Sequence, residues 1–361
     1  MKKILVILVG GTICTALNEE GTLSVSNQAG TWLQSGFEAS GSPYVGQVEL
    51  EMTQNLCILS ENMTLKNWNR MLRAYREAVR DQEYDGVIFA HGTDTLAYSA
   101  ALFSIALSGT RIPVFFVSAN ERLSSPRSNG NANFRAAVEC ICQGIVPNIY
   151  AVYRNITDER TYLHLASRLE QCDNYSEDFF SVGMTDITDL NEDNRGEYFA
   201  RLNTLYPPDQ MGSMLDPMED WELSAPVLAL RPYVGIDYGA YDFSRFAAVL
   251  HGTFHSGTAC AEMTRGSAEY GSGSILYMLD RCAALQPPVD CYLAPSKQSG
   301  EVYETVGIIG AHCPDGHQIR FSFGQTFEMT YAKLVLAYSL LDPEERIAFL
   351  EREWNFEKFA Q

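Results

Sequence analysis

The chain has 361 residues, of which 46% are hydrophobic and 20% charged, a composition that marks a folded globular protein with enough length for two domains. Its 45 Asp and Glu against 26 Lys and Arg leave a formal net charge of −19, which opposes binding to nucleic-acid phosphates or anionic membrane surfaces. No apolar run reaches the roughly 18 residues of a membrane-spanning helix, and the nine cysteines are odd in number, scattered and without CxxC spacing, unlike a disulfide framework or a zinc site. That usage fits a reducing cytoplasm.

In chain order, MKKILVILVGG imitates a secretion signal, but its apolar stretch is short and no small-residue cleavage site is evident, so 4–9 reads as the first strand. A loop to about residue 60 is expected next. A helix over 64–81 follows, with Thr64 as N-cap and Trp68, Leu72, Tyr75 and Val79 as its apolar stripe. Strand 86–90, helix 95–108, strand 112–118, helix 130–143 and strand 148–153 complete an alternation that implies a parallel sheet with helices on its faces. Runs 4–9 and 86–90 lack polar alternation, as expected of strands buried on both faces. Residues 185–225 are rich in Asp, Asn, Pro and Gly and read as a linker between a domain at 1–184 and a smaller α/β domain at 226–361. In the latter, PVLALRPYVG, FAAVLHGTFHSG, SGSILYMLDRC, DCYLAPS and a helix from Phe327 repeat the alternation on a smaller scale.

Two strands end in glycine turns that carry threonine: GGTI at 10–13 and HGTDT at 91–95. Ligands of open α/β sheets bind at the carboxyl ends of strands, and glycine there lets backbone N–H groups come close. Threonine as a simple helix cap is the ordinary alternative. A threonine hydroxyl is a weak nucleophile until a base or a polarising hydrogen bond activates it. Thr12, Thr93 and Asp94 offer hydroxyls and a carboxylate, while N–H groups about Gly92 and Thr93 could stabilise an oxyanion, an arrangement suited to amide hydrolysis. No GxGxxG or GxxxxGK[ST] follows a strand, so no nucleotide cofactor is implied. His251 and His255 are four apart, but HGTFH lacks the metalloprotease glutamate and contains glycine, which argues against a metal there.

GGTI and HGTDT, with SENMT at 60–64, DGVIFAHGTDTLAYSA at 85–100 and the weaker PVFFVSAN and SNGNANFRAAV, resemble the bacterial-type L-asparaginase/glutaminase family of threonine amidohydrolases. The resemblance is looser in the second domain, chiefly VLHGTFHSGT at 249–258. It implies a two-domain asparaginase-like α/β fold, the larger N-terminal domain with a Rossmann-like mainly parallel sheet and the site at its strand ends near the interdomain crevice. It implies Thr12 as nucleophile, Thr93 and Asp94 as the second catalytic threonine and its acid, and Gly11, Ser60, Glu61, Gly92, Thr93, Asp94 and Ala119 around the substrate. The substrate so implied is a small amino-acid amide, asparagine first. Hydrolysis would need no cofactor and no metal, with neither nucleic acid nor membrane as partner, in a homodimer or homotetramer.

The family's loop tyrosine corresponds by counting to Thr22, and its lysine after the strand near 150 has no counterpart, since no lysine occurs between Lys66 and Lys297. Arg168 and Gln171 fall near that place, although neither can serve as a base. SxDG reads SNG, so Asn129 replaces an acid. Tyr44, Tyr303 and Lys297 remain as other sources of an activator, and an amide- or amino-acid-binding protein with little turnover, or an amidohydrolase for a different amide, is the competing reading. The amide-transfer subunit of a tRNA-dependent amidotransferase is less expected, given the net charge and the absence of a further domain ahead of the first strand.

Overall fold

The computed structural model describes residues 1–213, 216, 219–262, 269–297 and 303–359, with Asn55 and Asp81 described by backbone alone. They form two compact units, one of Met1–Glu222 with Trp354–Phe356, the other of Leu223–Glu353 with Glu357–Gln361.

In the first unit, β1 (Lys2–Gly10) is buried from Ile4 onward and pairs in parallel with β4 (Val48–Ile58) on one side and β5 (Gly86–Ala90) on the other. The sheet continues through β6 (Val114–Val117) and β7 (Ile149–Arg154), still parallel, and ends in antiparallel β8 (Thr161–Leu165) and β9 (Thr185–Asp186). Strands covered on both faces have no reason to alternate, which is why β1 and β5 read as continuous apolar runs. Helix α2 (Leu65–Asp81) begins where expected, Thr64 accepting from the Asn67 N–H at 3.4 Å, and it buries Trp68, Leu72 and Tyr75. Helix α3 (Leu96–Ala106) is buried on every face, and α4 (Gly130–Gln143) buries Phe134, Ala137, Val138 and Ile141.

Two expectations are corrected. The stretch to residue 60 is no loop. It holds a hairpin of β2 (Thr15–Leu17) and β3 (Leu23–Val25), helix α1 (Ala29–Glu38) and the eleven-residue β4. β4 lies at the sheet edge, with Val48, Leu50 and Met52 packed on the core and charged or polar residues between them, so its sequence lacks the unbroken apolar run of its neighbours. Likewise 185–222 is not a linker in its described part, residues 214, 215, 217 and 218 lying outside it: β9 pairs with β8, and α5 (Arg195–Leu205) sends Leu202 into the first core. The Asp and Asn residues of this segment cap turns, Asp186 accepting from Thr188 N–H at 2.9 Å and Asn194 from Asn191 N–H at 2.9 Å. Turn chemistry, not separation of domains, accounts for its composition.

The second unit is a parallel sheet of β10 (Val227–Leu230), β11 (Ala248–His251), β12 (Asp290–Ser296) and β13 (Arg320–Phe323), in that order. Helices α6 (Ile275–Ala283), α7 (Glu304–Ala311), α8 (Phe327–Leu340) and α9 (Pro343–Glu351) accompany it. Thr326 caps α8 by accepting from Met329 N–H at 3.1 Å. Inside this unit Lys333 and Glu357 form an ion pair with no exposed surface, and Lys333 Nζ also donates to the Arg352 carbonyl at 2.7 Å, so both charge and protons are satisfied.

His164 on β8 is buried, its Nδ1 2.9 Å from Ser181 Oγ and its Nε2 without a partner. Burial pushes its pKa down to about 3, and that of His91 and His251 down to about 4. A depressed histidine pKa means that the unfolded chain takes up a proton which the folded chain refuses, so stability is intact above pH 6.5 and falls with acidification toward 4. Each such group contributes a slope of about 1.4 kcal/mol per pH unit within that window. Thermal unfolding between pH 7 and 4 should show the decline, and His164→Asn should make it shallower by one proton's worth.

Candidate active site

Four adjacent strand ends deliver the residues singled out in the sequence. β4 ends at Ser60 and Glu61, β1 at Gly11 and Thr12, β5 at Gly92, Thr93 and Asp94, and β6 at Ala119. Leu8 of β1 is opposite Ala90 of β5, which puts the two threonine turns at one level of the sheet. They touch through backbone. Gly11 has φ +71°, and a Cβ on it would fall 2.1 Å from Gly92 Cα; a Cβ on Gly92 would fall 2.3 Å from Ser60 Oγ. No side chain fits at either position, so glycine here is a condition for bringing the three segments together.

Hydrogen bonds join the same segments. Gly11 N–H donates to the Ile58 carbonyl at 2.8 Å. Ser60 Oγ donates to Asp94 Oδ2 at 3.1 Å, and Thr95 Oγ1 donates to the Ser60 carbonyl at 2.9 Å. Ser60 is buried, Glu61 stands exposed on the same 3₁₀ turn, and Thr12 and Thr93 are half-buried. Thr12 opens a 3₁₀ turn in which its carbonyl accepts from Thr15 Oγ1 at 2.9 Å. Among the described residues no base is bonded to the hydroxyl of Thr12 or Thr93.

Ala119 is fully buried, and its position follows from Asn129. The Asn129 side chain accepts from Asn120 N–H at 3.0 Å and donates to the Arg154 carbonyl at 2.8 Å, while Asn129 N–H donates back to Asn120 Oδ1 at 3.0 Å. A carboxylate in place of Asn129 could accept but not donate, so the amide that departs from the family motif makes a bond that an ionised acid could not.

The structure separates the two residues near the missing lysine. Gln171 Nε2 donates to the Asp94 carbonyl at 3.2 Å, whereas Arg168 Nε donates to the Phe356 carbonyl with its guanidinium 5.4 Å from the Tyr206 ring. Gln171 is thus the neighbour of Asp94, and it is neutral. Spacing alone could not choose between them. Thr22 lies exposed in the turn between β2 and β3, its N–H donating to Asn18 Oδ1 at 2.9 Å. Tyr44 is buried in the first core with its hydroxyl donating to Glu192 at 2.9 Å, and burial together with that carboxylate pushes its pKa up to about 12, which removes it as an activator. Tyr303 and Lys297 belong to the second unit.

Beside Gln171, the Cys172 thiol is pushed up to about 12 by burial and then by the negative fields of Glu177, Asp173, Asp178 and Asp94. Asp94 is thus one of four carboxylates whose fields reach Cys172, and a carboxylate suits a ligand that brings an ammonium group. His91 opens the HGTDT motif without a role assigned to it from the sequence; it is fully buried behind Gly92 and, through Ser99 and Trp68, joins its turn to α3 and α2.

Residues 3–201 match the family described as "Asparaginase, N-terminal". Among curated proteins, the chain is 33% identical over 159 residues to a glutamyl-tRNA(Gln) amidotransferase subunit of Archaeoglobus fulgidus, covering 44% of this chain and 36% of that protein. It is 29% identical over 197 residues to the protein of the same name from Halobacterium salinarum, covering 54% and 44% respectively. The chain thus spans less than half the length of these curated relatives. Among solved structures, the thermostable L-asparaginase from Thermococcus kodakarensis superposes with a TM-score of 0.69 at 21% identity, covering 99% of this chain and 100% of that one. L-asparaginase I from Vibrio cholerae does so with a TM-score of 0.67 at 18% identity, covering 99% of each. With the family match covering more than half of its length and the same two-unit α/β fold throughout, the chain belongs to the asparaginase family.

Proposed function

We propose that the chain hydrolyses the side-chain amide of L-asparagine or a close analogue to the carboxylate and ammonia through a threonine acyl-enzyme. The observation that carries this reading is the contact of the Thr12 and Thr93 turns at adjacent strand ends, with two hydroxyls, the Asp94 carboxylate and backbone N–H groups gathered in one place. Thr12 Oγ adds to the amide carbon, and N–H groups of the glycine turns take the negative charge that develops on oxygen. The amide nitrogen leaves as ammonia with the proton lost by the hydroxyl, and water then cleaves the ester to free the product acid and Thr12. Asp94, Ser60 and Glu61 hold the substrate's ammonium and carboxylate ends, the carboxylates of Asp94 and Glu61 suiting the former. Ala119 lies beside the reacting amide through its backbone.

A second reading is favoured by the curated relatives, whose names mark them as amidotransferase subunits: the same chemistry would then supply ammonia to a transfer reaction. A third follows from neutral Gln171 beside Asp94, which would leave a site that binds amino acids and turns them over slowly.

Purified protein should release ammonia from asparagine, with glutamine and other small amides assayed beside it, and Thr12→Ala and Thr93→Ala should each lower kcat by about a thousandfold or more. No release above the Thr12→Ala background from any amide, with amino-acid binding still detected by calorimetry, would leave a binding protein. Gln171→Lys should raise kcat by about a hundredfold, the lower end of what a positioned proton carrier contributes. An unchanged rate would mean that this chain activates its threonines without a group at that position.

A further inference from the structure

His91 follows β5 directly and has no exposed surface. Its Nδ1 lies 2.8 Å from the Gly92 carbonyl oxygen and its Nε2 2.9 Å from Ser99 Oγ, to which Trp68 Nε1 donates at 2.9 Å. A carbonyl oxygen only accepts, so Nδ1 must carry the ring proton. Burial holds the ring neutral, its pKa pushed down to about 4, so Nε2 keeps a lone pair. Ser99 must then donate its hydroxyl proton to Nε2 while its own lone pair receives the indole N–H. The bonds run in one direction, from Trp68 through Ser99 and His91 to Gly92.

The last bond acts on a peptide group. The Gly92–Thr93 peptide is trans and planar, so its C=O and N–H point in opposite directions. Drawing the Gly92 oxygen toward the buried imidazole turns the Thr93 N–H the other way, and that N–H has no acceptor among the described residues.

We propose that His91 is a positioning residue whose Nδ1–H holds the Gly92–Thr93 peptide so that the Thr93 N–H faces the oxyanion formed during amide cleavage. The inference rests on the reaction proposed above. An independent observation supports the device. In the second unit His251 ends β11, is fully buried, and places Nδ1 2.5 Å from the carbonyl of its own following glycine, Gly252, and Nε2 2.6 Å from the Tyr238 hydroxyl. The partner of Nε2 differs between the units, a serine in one and a tyrosine in the other. What recurs is an imidazole Nδ1 fixing the glycine that ends a strand. There Thr253 Oγ1 is tied to the Pro295 carbonyl at 2.9 Å, whereas no described residue occupies the Thr93 hydroxyl.

The test combines kinetics with the protonation state of the ring. The asparagine side chain can place an N–H where Nδ1 stood; phenylalanine fills the space without one. His91→Phe should lower kcat for asparagine by about a hundredfold, as for misplacing one oxyanion donor, with KM and calorimetric binding of aspartate changed by less than about threefold, while His91→Asn should recover most of that loss. In the wild type, ¹⁵N NMR of the imidazoles should show His91 neutral and protonated at Nδ1 from pH 8 to about 5, which does not depend on any variant folding. A ring protonated at Nε2, an imidazolium at pH 6, or equal loss of kcat in both variants would overturn the proposal. If the wild type releases no ammonia from any amide, the reaction itself falls and the catalytic role with it. The NMR result then reports on the hydrogen-bond geometry alone, so the two failures are told apart.

Discussion

Contact between two backbones, with no side chain between them, is the constraint on which the site depends. Gly11 and Gly92 approach so closely that a single methyl on either would collide with main-chain or Ser60 atoms, and Gly10 is as close to the Ile58 carbonyl. The residues of the proposed reaction stand one position away: Thr12 follows Gly11, Thr93 follows Gly92, and Ser60 packs against the second turn. The distance between the two hydroxyls is set by sheet register and glycine together, because parallel pairing of β1 with β5 aligns the strand ends and the absent Cβ atoms let the turns close. Larger residues at these positions would separate the threonines before they disturbed the sheet.

Around that contact the polar groups divide into those that are spent on structure and those that remain available. Asp94 is held at two points, its carboxylate by Ser60 and its carbonyl by Gln171, both neutral side chains. Asn129 exchanges bonds with Asn120 and reaches the Arg154 carbonyl, which ties the loop carrying Ala119 to α4 and to the end of β7. The hydroxyls of Thr12 and Thr93 belong to the other class. A site held by bonds at Ser60, Asp94 and Asn129, with no described residue bonded to the hydroxyls of Thr12 and Thr93, is organised before a ligand arrives, so that little ordering entropy is lost on binding.

The centre of the sheet is plain in the sequence and its margins are obscure. Gly86–Ala90 matches its strand because burial on both faces demands an unbroken apolar run, and Thr64 marks the start of α2 because its cap is local. β4 is hidden because an edge strand shows the solvent one face and mixes charge with apolar residues. The 185–222 segment reads as a linker because its Asp and Asn residues serve turns that are themselves part of the first unit. For the site, the two motifs place Thr12, Thr93 and Asp94 at neighbouring strand ends, where the structure has them. Gln171 cannot be separated from Arg168 by spacing, since the 3₁₀ turn Ala166–Arg168 that follows β8 directs the two side chains to different partners. The role of His91 is hidden for another reason: its partner Ser99 and the Trp68 that donates to Ser99 come from two different helices, and only the packing of those helices on the sheet brings them together.

The short return of the chain at Trp354–Phe356 has a consequence for synthesis. Asn355 is buried in the first unit, donating to the Ser104 carbonyl at 3.0 Å and to Asn148 Oδ1 at 2.9 Å, while Trp354 accepts from Ser108 and from Gly212 N–H. These partners leave the ribosome between some 140 and 250 residues earlier. Until position 355 emerges, the carbonyl of Ser104 and Asn148 Oδ1 lack the Asn355 amide that donates to both, and the buried ring of Trp354 is missing. The domain that carries the threonines is therefore completed only after nearly all of the second has been made, and a ribosome stalled in the second half of the message holds a first domain that still lacks Trp354–Phe356.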